Sequence, residues 1–293
     1  MDETLCYLLL SASAVMFGGQ FFFNDMFRKH YGNSFRASLV SKFGGGVFGL
    51  IALALINGLT FEYSHFSLIM AIFVNINAFL LTFCGLKALG KINLSLYSMF
   101  MMLGGMALPF VSGILFHGES LTLGKLICFL FIIASLLVVL KRDNVRSGGL
   151  YYAGIFILNG MSGVLSKLYK AAPAQWQVSS AGYSMLIAIL SLVLTGIFLL
   201  IFGVEKKKLN FKAVIAMAGS GIINRVANLF LLIALATVPA SAQYPFITGG
   251  TMIVSTLLSF FTDKKPSKRE IIAVIISFIG ILFLLFIPDI KLI

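Results

Sequence analysis

The chain alternates long apolar runs with short polar punctuation. Runs fall at about 5–23, 37–57, 66–86, 93–116, 122–140, 149–166, 177–203, 211–235, 239–261 and 270–288, most near the roughly 20 residues that a helix needs to cross the hydrocarbon core. The apolar positions are continuous, without the every-other-residue alternation of a barrel strand, so the pattern predicts helices. In a bilayer only helices and closed barrels satisfy every backbone N–H and C=O. Ten transmembrane helices are therefore expected. Connections such as "EYSHF", "HGESLT" and "TVPAS" leave no room for a soluble domain. The first run follows Asp2 and Glu3 instead of a basic segment and has no small-residue cleavage site, so it reads as a retained helix.

Composition agrees: 59% of the 293 residues are hydrophobic and 11% charged, and the mean hydropathy is +1.02, which defines an all-α integral membrane protein. The net charge of +12 would point to nucleic acid in a soluble protein. Here the cations sit in short loops, and no nucleic-acid partner is expected. Loops after the odd-numbered runs carry Arg28, Lys29, Arg36, Lys87, Lys91, Lys141, Arg142, Arg146, Lys206, Lys207, Lys208, Lys212, Lys264, Lys265, Lys268 and Arg269, against Lys167, Lys170 and Lys291 on the other side. The positive-inside rule puts the first set in the cytoplasm and both termini outside a cell (inner or plasma) membrane. Cys6, Cys84 and Cys128 all lie inside apolar runs, which argues against a disulfide framework or a metal cluster.

The segment "ALGKINLSLYSMFMMLGGMALPFVSGILF" (88–116) aligns without gaps on "ALATVPASAQYPFITGGTMIVSTLLSFFT" (234–262). Ala88, Leu89, Ser95, Phe100, Gly104 and Met106 fall on Ala234, Leu235, Ser241, Phe246, Gly250 and Met252. The offset divides the chain into five-helix halves, residues 1–146 and 147–293, forming one transport domain. An odd number of spans per half makes the repeat inverted, as in many secondary transporters, with substrate near midplane at the repeat interface.

"LKALGKINLSLYS" followed by "HGESLTLGKLICFLFIIASLLVVL" resembles the drug/metabolite transporter superfamily, EamA type, in which a Gly-Glu turn leads from the fourth helix into the fifth. Gly118, Glu119 and Gly124 match that turn. "LATVPASAQYPFITGGTMIVSTLLSFF" resembles the corresponding ninth-helix segment, while "DKKPSKRE" lacks the Gly-Glu. The resemblance implies a ten-helix exporter or exchanger whose central cavity is lined mainly by helices one to four and six to nine.

One residue contradicts its surroundings. Arg225 lies 14 residues into the eighth run, about 20 Å along a helix, where a cation costs about 2.5–3.5 kcal/mol to insert and so should face a cavity or a partner. A structural Arg bonded to backbone carbonyls is the competing reading. No carboxylate is an obvious deep partner, so an unpaired guanidinium would recruit a carboxylate or phosphate from a solute. Lys42 lies two turns inside the second run, within snorkelling reach of the cytoplasmic face. Asn75 and Asn77 occupy similar depth in the third run, and Asn224 and Asn228 share a helix face. Gln20 adds a polar group in the first run. Helix-to-helix hydrogen bonding competes with substrate contact for all of these amides. Tyr97 and Tyr244 combine apolar area with a polar handle. Gly104 and Gly250, related by the repeat, are candidates for helix sliding or bending during gating. Pro109 and Pro245 are candidates for kinks that free carbonyls toward the cavity.

The three His are in loops and deep carboxylates are missing, so no catalytic or metal-binding constellation is visible, and neither enzyme activity nor a cofactor is expected. Glycine-rich sets such as "FGGGVFG" lack the strand and Lys-Ser/Thr ending of a phosphate loop. The expectation is a monomeric secondary transporter in the lipid bilayer. It would export or exchange a small anionic or zwitterionic metabolite, such as an amino acid or related carboxylate, with a coupling ion or counter-substrate. Efflux of quaternary cations, or a non-transporting scaffold or receptor, are the alternatives.

Overall fold

The computed structural model describes residues 2–32, 34–89, 94–139, 149–204, 208–260, 266–287, 290 and 292. Among them the chain forms ten α-helices: α1 (Glu3–His30), α2 (Phe35–Ile56), α3 (His65–Leu89), α4 (Leu94–His117), α5 (Leu123–Val139), α6 (Gly149–Ala171), α7 (Ser180–Phe202), α8 (Phe211–Ala234), α9 (Ala240–Ser259) and α10 (Lys268–Phe286). Six described helical stretches, in α1, α2, α4, α7, α8 and α10, are long and apolar enough to cross a membrane; α3 and α5 contribute shorter apolar stretches, His65–Leu81 and Leu123–Val138.

Short polar residues mark where several helices begin. Ser34, Ser179, Asn210 and Ser267 each accept a hydrogen bond from a backbone N–H of the first turn, and Glu270 completes a capping box with Ser267. Two helices outrun their apolar stretches. α1 continues to His30 because Asp25 pairs with Arg28 (3.1 Å) and Lys29 (3.2 Å), one turn further on. α6 continues to Ala171 through Ser166, Lys167 and Lys170, polar residues that end a hydropathy run without ending a helix.

The outer surface is apolar. Leu200 is 88% exposed, Phe116 80% and Phe211 78%, a distribution that water would not tolerate over so much surface and that lipid requires. This is a multi-pass membrane protein.

Each helix packs against partners remote in sequence. α1 lies against α8 and α9, α6 against α3 and α4, α2 against α7 and α8, α3 also against α7, α4 also against α9, and α5 against α10. Glycine permits the tightest of these contacts. A Cβ on Gly221 of α8 would fall on the Gly45 main chain of α2, and one on Gly49 would lie 2.6 Å from Arg225 Cγ and 2.8 Å from Gly221 O. Residue numbers rise together along this contact, so α2 and α8 run parallel. On the other side of the molecule Gly104 of α4 meets the Phe156 main chain of α6, and Gly250 of α9 meets Ala14 Cβ of α1 at 2.9 Å. Both repeat-related glycines are thus contact points between helices. α4 runs through Pro109 and α9 through Pro245 without interruption.

Candidate functional site

α8 carries the polar residues of its apolar run on two faces. Gly221 and Arg225, four apart, turn toward α2, where the absence of side chains on Gly45 and Gly49 lets the two backbones approach and the Arg225 stem lie across Gly49. Arg225 is half-buried, and among the described residues its guanidinium makes no hydrogen bond and no ion pair. It is therefore not closed off by main-chain oxygens. A guanidinium facing lipid at this depth would be costly.

Lys42 is on the same α2 face. Residues 42, 45 and 49 are three and four apart, so all three point toward α8. The Lys42 side chain is exposed.

The other α8 face meets α1 in a polar ladder. Asn224 Nδ2 donates to Gln20 Oε1 (3.1 Å), and one turn nearer the N-terminus of α8 Ser220 Oγ donates to Asn24 Oδ1 (2.6 Å). Asn228, exposed, donates to Asn224 O (2.7 Å). Gln20, Asn224 and Asn228 are thus linked by hydrogen bonds in the stretch of α8 that carries Arg225. Asn24 and Ser220 complete the ladder and were not expected, although Asn24 is four residues from Gln20 and Ser220 four from Asn224, a same-face stripe visible in the sequence.

The remaining candidates are placed elsewhere. Asn75 is buried and its amide donates to Ala71 O (2.9 Å) and Ile187 O (3.2 Å), tying α3 to α7. Asn77 is buried too, donating to Leu158 O and Ser162 Oγ, both at 2.9 Å, and ties α3 to α6. Tyr244 is buried with its hydroxyl donating to Gly163 O (3.2 Å), joining α9 to α6. The side chain of Tyr97 lies outside the described residues. Because both amide N–H groups of Asn77 are used between helices, Asn77→Ala is expected to cost about 0.6–2 kcal/mol of stability. Thermal unfolding should register this while the KM for substrate stays within twofold; a large KM change with an unaltered melting temperature would return Asn77 to the binding site.

After α4, Gly118 adopts a left-handed conformation (φ 65°) that a side chain would strain, and this turns the chain so that Glu119 points inward. Its carboxylate accepts from Ala240 N and Ser241 N, both at 2.8 Å, and pairs with Lys167 Nζ at 2.6 Å. Glu119 therefore supplies the N-terminal cap that α9, preceded by Pro239, cannot supply itself. Burial alone would raise the Glu119 pKa, but the Lys167 ammonium and the donated N–H groups outweigh it and hold the carboxyl below its usual range. Glu62 instead holds the N-cap residue of α7, accepting from Ser179 N (2.7 Å) and Ser179 Oγ (2.5 Å), bonds that keep its pKa below the ordinary value.

Residues 147–286, which contain α6 to α10, match the model of the EamA-like transporter family, a match that implies a membrane transporter of the drug/metabolite type. A solved structure titled only "Crystal structure of protein" superposes with a TM-score of 0.73 over 96% of both chains at 14% identity, a likeness of fold alone. No curated protein matches the chain.

Proposed function

We propose that this protein is a secondary transporter of the plasma (inner) membrane that exports or exchanges a small anionic or zwitterionic metabolite by alternating access. Arg225 would hold the anionic group, while Gln20, Asn224 and Asn228 orient its polar atoms. The observation that carries this reading is a half-buried guanidinium, deep in α8, with no hydrogen-bond or ion-pair partner among the described residues. Such a group gains most from an anion that supplies paired acceptors.

Ten spans arranged as inverted repeats, 1–146 and 147–293, with both termini extracytoplasmic, supply the framework. Two facts support the repeat. Raising or lowering helix numbers by five exchanges the pair α1–α8 with α6–α3, α1–α9 with α6–α4, and α2–α8 with α7–α3. Gly104 and Gly250, equivalent by sequence offset, occupy equivalent contacts in this scheme. Transport would draw on an ion gradient or a counter-substrate.

The test is transport in proteoliposomes. Arg225→Ala is expected to raise the substrate KM roughly tenfold to a hundredfold, the value of one or two charge-assisted hydrogen bonds. Arg225→Lys should retain part of the affinity, and melting temperatures of both variants separate binding from folding. Transport of lipophilic cations with no competition from carboxylates would replace this reading with cation efflux. A protein that moves nothing and co-purifies stoichiometrically with a partner would make it a scaffold.

A further inference from the structure

One hollow in the molecule shares no residue with the α8 site. It lies at the end of the bundle where α3 begins and α6 runs into α7, and Tyr63, Ser64, His65, Phe66, Gln175 and Trp176 line it. Its volume of about 360 Å³ falls within the roughly 300–1,000 Å³ of small-molecule sites. Four of the six lining residues carry rings, and none is Lys, Arg, Asp or Glu. Phe66 and Trp176 are 6.0 Å apart and inclined at 48°, and Tyr63 and His65 are 5.3 Å apart at 78°. Rings so inclined wall a corner, whereas parallel rings would close on each other. Ser64 Oγ donates to Trp176 O (2.6 Å), which ties the short 3-10 turn Ala174–Trp176 to the start of α3. Tyr63 Oη is bonded to His65 Nδ1 (2.9 Å), and Phe66 is held nearly parallel to Tyr169 at 5.9 Å. The walls are therefore set before a ligand arrives. Tyr63 and Trp176 remain half-exposed, so both are free to meet one.

We propose that this hollow binds a quaternary ammonium group of the kind that choline carries. Ring faces bear partial negative charge and attract a cation within about 6 Å of the centroid, most strongly for Trp. Methyl groups spread the charge of a quaternary ammonium, so it gives up its hydration readily and needs no hydrogen-bond acceptor in the site. An anion would find neither Lys nor Arg in the lining. Glu62 and Lys170, the charged groups on the flanking segments, stand outside the lining and are each bonded at the start of α7, to Ser179 and Ser180. Tyr63 and Trp176 would otherwise be anchors of the aromatic belt that membrane proteins carry at the water interface. Anchors of that kind bind no solute saturably. The ammonium group can arrive from water on a free solute or from the bilayer on the headgroup of a choline lipid. Neither route depends on what Arg225 holds.

Trp176 is the one tryptophan of the chain, so the fluorescence of the purified full chain reads this hollow directly. In a maltoside detergent, which carries no ammonium, choline should change the emission saturably. Its uncharged carbon counterpart, 3,3-dimethylbutan-1-ol, should bind about tenfold or more weakly. Tyr63→Leu and Phe66→Leu should each weaken choline binding about threefold to thirtyfold, and Tyr63→Phe, which keeps the ring, should retain most of it. Tyr63 is half-exposed, so Tyr63→Leu should melt close to the wild type and separate binding from folding. Nanodiscs then assign the source. A shifted emission in phosphatidylcholine discs that no longer responds to choline, against a normal response in phosphatidylglycerol discs, marks a lipid headgroup; the same response in both marks a free solute. No saturable change with choline, equal binding of the neutral alcohol, or unchanged binding in both Leu variants would overturn the proposal and leave the rings as membrane anchors.

Discussion

Glu119→Gln is expected to lower the thermal stability of the protein by on the order of 10 °C, from a loss of about 3–5 kcal/mol. The Glu119 side chain is 7% exposed and that of Lys167 15%, so neutralising the carboxylate leaves an ammonium in a poorly hydrated place with no counter-charge. Gln also offers a single acceptor where Glu119 accepts from both Ala240 N and Ser241 N, and half of the α9 cap is lost with the charge. Adding Lys167→Met removes the stranded cation and should recover a sizeable part of the loss, leaving the cap deficit behind. A double-mutant cycle separates the two terms. The pH dependence follows from the direction of the shift. A carboxyl held below its ordinary pKa contributes stability that is complete above the unfolded-state pKa, near the usual carboxylate value, and is lost as pH falls through the folded-state pKa. Wild-type stability should therefore decline in acid below the ordinary carboxylate range, and Glu119→Gln should flatten that part of the profile. A Glu119→Gln protein as stable as the wild type would mean that water solvates the pair and that the cap is dispensable.

How much of this was legible in the sequence depends on whether the signal is local. Helices were, because an apolar run near 20 residues can satisfy its backbone in lipid in few other ways; the misjudged ends of α1 and α6 are polar turns that hydropathy ignores. Arg225 was legible as a single cation against a uniform background. Asn75 and Asn77 were read on the same footing as Asn224, because an amide in an apolar run looks alike whether it bonds a neighbouring helix or lines a cavity. Only the position of Leu158 O and Ile187 O, more than 80 residues away, separates the cases. Glu119 was read as part of a turn. Its role as the cap of α9 could not be seen, since the N–H groups it receives are 121 and 122 positions further along the chain. Asn24 and Ser220 lie four residues from Gln20 and Asn224, a same-face spacing that is legible in the sequence.

The second large effect concerns a residue with no side chain. Gly221→Val is expected to lower stability by about 3 kcal/mol or more and to abolish specific anion binding, and Gly221→Ala to do part of the same. The Cβ that either substitution adds would fall on the carbonyl oxygen, carbonyl carbon and Cα of Gly45. Those are main-chain atoms of a helix, with no rotamer to change, so α2 and α8 must separate. Separation removes Gly49 from beneath the Arg225 stem, so stability and binding fail together. Gly19 of α1 gives the control. A Cβ there meets nothing within 4 Å, and Gly19→Ala should leave binding intact and, by helix propensity, add up to about 1 kcal/mol. Thermal unfolding of the three variants, with and without ligand, decides the matter. A Gly221→Ala protein that melts and binds like the wild type would show that the α2–α8 contact yields easily and that the position of Arg225 does not depend on it.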